Sequence, residues 1–144
     1  MKPGLRFSKT SSDEDVVELK IEVSDGTSVF ANQVYVGYSQ LADAVSQLDA
    51  FKDHVHGGLF DMQFGEFAPE FGGGAFHARF HFAKPGKLYI TCRQQSEFRD
   101  FARKHAATEA MLFLETEPGL LDNFIRELKA LDAKKREDAH LQTI

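Results

Sequence analysis

The chain has 144 residues with a formal net charge of −5, one cysteine, fourteen phenylalanines and no tryptophan. That length suits one domain able to bury roughly 70% of the surface its unfolded form exposes, so no metal or disulfide is required to hold it together. An acidic balance opposes attraction to phosphate backbones and argues against direct nucleic-acid binding, favouring a cationic partner instead. No stretch approaches the length of a membrane span, and the N-terminal Met1-Lys2-Pro3-Gly4-Leu5-Arg6-Phe7-Ser8 lacks a signal's apolar run, so a cytoplasmic location is expected.

Along the chain, Val17, Leu19, Ile21 and Val23 alternate with Glu18, Lys20 and Glu22, the pattern of a strand with one face in water. Asp25-Gly26 supplies residues suited to a tight hairpin, so the chain should return along Val29 to Val36. Ser39 is the expected cap of a first helix running to about Asp53. A second group of strands follows, with Phe60, Met62 and Phe64, then Phe76, Ala78, Phe80 and Phe82, each alternating with polar residues. Lys84-Pro85-Gly86-Lys87 has Pro and Gly where a type II turn takes them, and Leu88, Ile90 and Cys92 continue the alternation. Ser96 to Ala106 has helical spacing at Phe98, Phe101, Ala102 and His105 and is expected to form a short helix. Ala110 to Thr116 reads as a strand, and Pro118 opens the last helix.

The two long helices share a pattern. Leu41, Ala44, Val45, Leu48 and Phe51 fall, at an offset of 80 residues, on Leu121, Phe124, Ile125, Leu128 and Leu131. Each set marks one apolar face of a helix, preceded in both cases by a strand. The expected fold is α+β: an antiparallel sheet of about six strands with two main helices on one face, in the order β-β-α-β-β-β-(α)-β-α. Residues 1–144 form a single domain, with residues 1–14 and 133–144 expected to be flexible ends. The exposed sheet face should carry Glu18, Lys20, Glu22, His77, Arg79, His81, Tyr89, Thr91 and Arg93, a surface suited to docking.

Chemical motifs are sparse. His77 and His81 lie about 13 Å apart on a strand, too far to share a metal comfortably. Asp53-His54-Val55-His56 lacks a second ligand cluster, and a cationic side chain is in any case favoured near a helix C-terminus. Gly72-Gly73-Gly74 precedes a strand rather than a helix, so it reads as a flexible connection and not a phosphate cradle. Cys92 sits at an inward strand position, as a buried thiol. No cofactor, metal or catalytic residue is expected.

The closing segment, Glu109-Ala110-Met111-Leu112-Phe113-Leu114-Glu115-Thr116-Glu117-Pro118-Gly119-Leu120-Leu121, with Asp122 to Leu128, resembles the strand-Pro-helix of WapI-like immunity proteins. Val17 to Val23, the helix start Tyr38-Ser39-Gln40-Leu41 and the strand pair Phe76 to Phe82 with Leu88 to Arg93 follow the same order, so the resemblance spans about Val16 to Leu131. It implies a small bacterial cytosolic protein that neutralises a cognate toxin by binding it, with no catalytic residues to carry over. An acidic chain suits a basic toxin. The expected attractors are Asp61, Glu66 and Glu70 around the Gly-rich loop and Glu18 and Glu22 on the open face, with His77, Arg79 and His81 beside them. A homodimer stays open. Two other readings are a metal-dependent or acid-base enzyme built on His54, His56, His77 and His81, and a small acidic secretion chaperone. Chaperones of that kind usually begin with a helix, whereas this chain begins with strands.

Overall fold

The computed structural model describes residues 2–69, 72–101 and 104–144. The order is β1 (Gly4–Ser12), β2 (Val16–Ser24), β3 (Val29–Gly37), α1 (Tyr38–Phe51), β4 (Leu59–Gly65), β5 (Ala75–Lys84), β6 (Lys87–Gln95), β7 (Arg99–Phe101), β8 (Lys104–Ala106), β9 (Glu109–Thr116), α2 (Pro118–Asp132) and β10 (Asp138–Gln142). The protein is α+β, but its main strands are divided between two antiparallel sheets of four, ordered β10-β1-β2-β3 and β4-β5-β6-β9, in place of one sheet of about six.

The division follows from a repeat that extends well beyond the helices. With the short β7–β8 pair set aside as an insertion, each half runs β-β-β-α-β. The final strand of each half crosses over: β4 pairs with β5, the first strand of the second half, and β10 pairs with β1, the first strand of the first half. The offset of 80 residues relates β3 to β9 and α1 to α2, whereas β1 and β2 begin 71 residues before β5 and β6. The nine-residue difference is the greater length of the β6–β9 connection, residues 96–108, over the β2–β3 connection, residues 25–28.

Both stripes are core. Leu41, Val45, Leu48 and Phe51 of α1 are buried, as are Leu121, Phe124, Ile125, Leu128 and Leu131 of α2. Phe7 of the first sheet meets Phe64 and Phe76 of the second sheet and Phe124 of α2 edge to face, with ring centroids 6.2, 5.5 and 5.7 Å apart. Geometries of this kind suit the ring quadrupole, and they join both sheets and a helix in one core. Phe51 of α1 stacks on Phe82 at 5.1 Å. Lys129 of α2 binds Asp49 of α1 at 2.8 Å.

Several local expectations are corrected. The ends carry strands, not flexible tails, because β1 and β10 complete each other: Leu5 lies opposite Leu141 and Phe7 opposite Ala139, all four buried. Ser96 to Ala106 is not a helix: its described backbone forms the β7–β8 pair, while Ala102 falls outside the described residues. Ser96 closes the base of this insertion, its N–H donating to the Thr108 carbonyl and its Oγ accepting from the Thr108 N–H, both at 2.8 Å. The first helix begins after Gly37 with no side-chain cap and ends at Phe51 rather than near Asp53. At Asp25-Gly26 the turn has four residues, with the Asp25 carboxylate accepting from Thr27 N at 2.9 Å and Ser28 N at 2.7 Å. The Pro85-Gly86 turn has the positive φ, 80°, that a type II turn requires at glycine. Pro118 stands in the first turn of α2, where a missing N–H costs nothing. Neither helix is long and apolar enough to cross a membrane.

Candidate functional site

The residues expected on one open face lie on two. Alternation turns Glu18, Lys20 and Glu22 outward from the first sheet, and His77, Arg79, His81, Tyr89, Thr91 and Arg93 outward from the second. Their strand neighbours Leu19, Ile21, Ala78, Phe80, Ile90 and Cys92 are buried.

On the second sheet, Asp61 of β4 lies opposite Arg79 of β5. Arg79 Nε and Nη2 donate to its two carboxylate oxygens at 2.9 and 3.2 Å, and His77 Nε2 lies 2.9 Å from the first of them. The Arg79 guanidinium, followed by the His77 hydrogen bond, holds the Asp61 carboxyl below its usual range despite some desolvation. Two further ion pairs stand on this face. Arg93 pairs with Glu109 and lies over the Phe67 ring at 4.0 Å, and Lys87 binds Glu115 at 3.0 Å. His81 sits between Leu59 and Tyr89 across the strands. Asp61, His77 and Arg79 are thus brought together as an internally balanced cluster.

The first sheet differs at its β3 edge. Tyr35 is 62% exposed and lies directly opposite Glu18. Thr10 Oγ1 donates to Glu18 Oε1 at 2.6 Å, and hydrogen bonds from Thr10 and then Tyr35 hold the Glu18 carboxyl below its ordinary value. The reciprocal interaction, with Glu97 adding to it, raises the Tyr35 phenol, which stays neutral at physiological pH. Glu66 lines a hollow of about 380 Å³ together with Tyr35, Ala68 and the Gly-rich loop. Among the described residues neither Glu18 nor Glu66 has a cationic partner, while Glu97 binds Arg99 at 2.9 Å and Glu22 lies 4.0 Å from Lys20. Glu70 falls outside the described residues. The structure therefore gathers Glu18, Glu66 and Glu97 around Tyr35 and separates them from Asp61.

The Gly-rich loop has a definite structural task. Gly74 has φ of 101°, and a side chain there would strike the Gln33 carbonyl oxygen of β3; Gly65, with φ of 70°, is held as closely against the Gly74 carbonyl. The two glycines let the segment between β4 and β5 lie against the β3 edge.

Two polar residues at inward strand positions, Asn32 and Gln94, tie this edge to the second sheet. Asn32 is buried on β3, its Nδ2 donating to the Ala75 carbonyl at 3.0 Å and the Gln95 carbonyl at 2.9 Å. Its Oδ1 accepts from Gln94 Nε2 at 2.8 Å. The only sequence signal was a polar residue at an inward position of an otherwise apolar alternation. Tyr35 and Glu97 were missed because their neighbours come from distant parts of the chain.

For the alternative chemistry, His54 and His56 are exposed beyond α1, and His77 is engaged by Asp61. Among the described residues no three His, Cys, Asp or Glu side chains converge on a point able to hold a metal ion. Burial pushes the Cys92 thiol up to about 12, so at neutral pH it is protonated and a poor nucleophile. No family model, no curated protein sequence and no solved structure matches this chain.

Proposed function

We propose that this is a non-catalytic binding protein of the immunity type, acting in the cytoplasm to neutralise a basic toxin by occluding its working surface. The observation that carries the reading is the exposed Tyr35 at the β3 edge, flanked by Glu18 and Glu66, which have no cationic partner among the described residues, with Glu97, paired to Arg99, nearby. An aromatic side chain supplies large contact area at little conformational cost, and tyrosine is among the residues that most often dominate binding energy. Carboxylates around it attract a cationic partner and steer its approach. Thr10 orients Glu18 before any partner arrives, which reduces the ordering cost of association. The second sheet's outer face supports this role less, because its carboxylates Asp61, Glu109 and Glu115 are already matched by Arg79, Arg93 and Lys87.

The test is capture from source-cell lysate on immobilised wild-type protein and on a Glu18→Lys/Tyr35→Ala/Glu66→Lys variant, at low and moderate salt. The expected result is one stoichiometric basic protein held by the wild type, weakened by salt and lost from the variant. Identical retention by both baits, or retention indifferent to salt, would overturn the assignment.

A further inference from the structure

Four strands stand at the edges of the two four-stranded sheets, and three of them are covered by their own chain. Strand β10 lies along α2, β4 lies beside α1 and β3, and β3 is flanked by β4, β5 and β6 and closed by Gly74. Strand β9 is the exception: among the described residues its one extensive neighbour is β6. Its outward side chains are Met111, 56% exposed, and Phe113, 67% exposed. It carries no lysine, proline or bulge, the usual devices that stop one edge from pairing with another. The Ile144 N–H donates to the Glu115 carbonyl at 3.0 Å, and among the described residues no other backbone hydrogen bond outside the β6 ladder reaches Ala110 to Leu114.

The geometry points to a second copy of this chain as the occupant of that edge, paired antiparallel through β9 about a two-fold axis at Leu112 to give a continuous eight-stranded sheet. Three features favour a copy over a different partner. The open run is symmetric about Leu112, so Met111 of one protomer meets Phe113 of the other on the outer face and Ala110 meets Leu114 on the inner face. The charged ends are already neutralised within each protomer, Glu109 by Arg93 and Glu115 by Lys87, so nothing at this edge calls for a partner of either charge. Pairing also stops where Ile144 has taken the Glu115 carbonyl. The surface is separate from the Tyr35 edge, and this inference does not rest on the proposed function.

The experiment is sedimentation equilibrium of the whole chain over a wide concentration range, with two variants. The wild type should reach twice the 16.2 kDa chain mass. Met111→Lys/Phe113→Lys, which leaves inward Leu112 and Leu114 in place, should sediment at the single-chain mass with an unchanged circular dichroism spectrum. Met111→Cys/Phe113→Cys should oxidise to a covalent dimer that a reductant separates, since opposed residues of an antiparallel pair lie within disulfide range. A wild type that stays at 16.2 kDa throughout, a folded lysine variant that remains dimeric, or a cysteine variant that fails to cross-link would each overturn the proposal.

Discussion

Strands β3 and β9 occupy equivalent places in the two halves, yet they end in different surroundings. Ala31, Asn32, Gln33 and Tyr35 of β3 correspond, 80 residues on, to Met111, Leu112, Phe113 and Glu115 of β9. On β3 an inward asparagine binds the neighbouring sheet, a glycine-bearing loop lies on the edge, and an exposed tyrosine stands among carboxylates. On β9 the inward residue is leucine, and the outward residues are apolar on an open edge. The comparison teaches that the repeated part of this protein is its packing, and that the two copies differ where they meet solvent. Folding constrains the helix stripes equally in both halves, while the outward positions of an edge strand are free to specialise.

The most forceful way to break this comparison is at the stripes themselves. Leu48→Ala and Leu128→Ala remove fully buried side chains from corresponding turns of α1 and α2. Each should cost about 2–5 kcal/mol in a urea titration. A large loss from one and a near-neutral result from the other would mean that the halves are not equivalent supports.

A smaller effect should separate the edges. Gly74→Ala pushes a methyl group into the Gln33 carbonyl at a positive φ, and should destabilise the fold by about 1–3 kcal/mol. Gly73→Ala meets nothing within 4 Å and should be close to neutral. Equal behaviour of the two variants would show that the loop does not close the β3 edge.

The smallest effect concerns pH. Burial, followed by the nearby Arg6 charge, holds the His140 imidazole below its ordinary 6.5. Its neutral form is therefore favoured in the native state, and the unfolded chain takes up a proton first as pH falls below 6.5. The associated stability is present above that pH and is lost as pH falls through the lower native value. His140 occupies the β10 place that Gln63 holds in β4, beside Arg6 and His77 respectively. His140→Gln should accordingly flatten the mildly acidic limb of a stability-pH profile. An unchanged limb would remove His140 as its source.

Much of the architecture was legible in the sequence because it is written in local periodicity. Leu41 to Phe51 and Leu121 to Leu131 announce their helices, and Val17 to Val23 and Phe76 to Phe82 announce their strands. The strands that escaped notice have little periodic signal of their own. In β1 only Leu5 and Phe7 are large and apolar before a polar run, and β10 offers only Ala139 and Leu141. β1 pairs locally with β2, but β10 becomes a strand only against β1, across about 130 residues, a cost in loop closure that no local pattern records. The same absence hid the division into two sheets, since the crossing of β4 and β10 between halves is a matter of pairing. Around Ser96, helical spacing misled because the backbone satisfies itself at Thr108 instead. The candidate site was partly legible, through Glu18 and Glu66, but Tyr35 reads as an ordinary strand residue until Glu66 and Glu97 are brought to it.

The most direct test of the contrast between the two edges is lysate capture on three baits side by side: wild type, the Glu18→Lys/Tyr35→Ala/Glu66→Lys variant and the Met111→Lys/Phe113→Lys variant. The β3 edge is assigned to a cationic partner and the β9 edge to self-association, so a basic, salt-sensitive protein should be retained by the wild type and the β9 variant and lost from the β3 variant. Retention by the β3 variant with loss from the β9 variant would contradict that assignment and move the binding surface to the other half of the molecule.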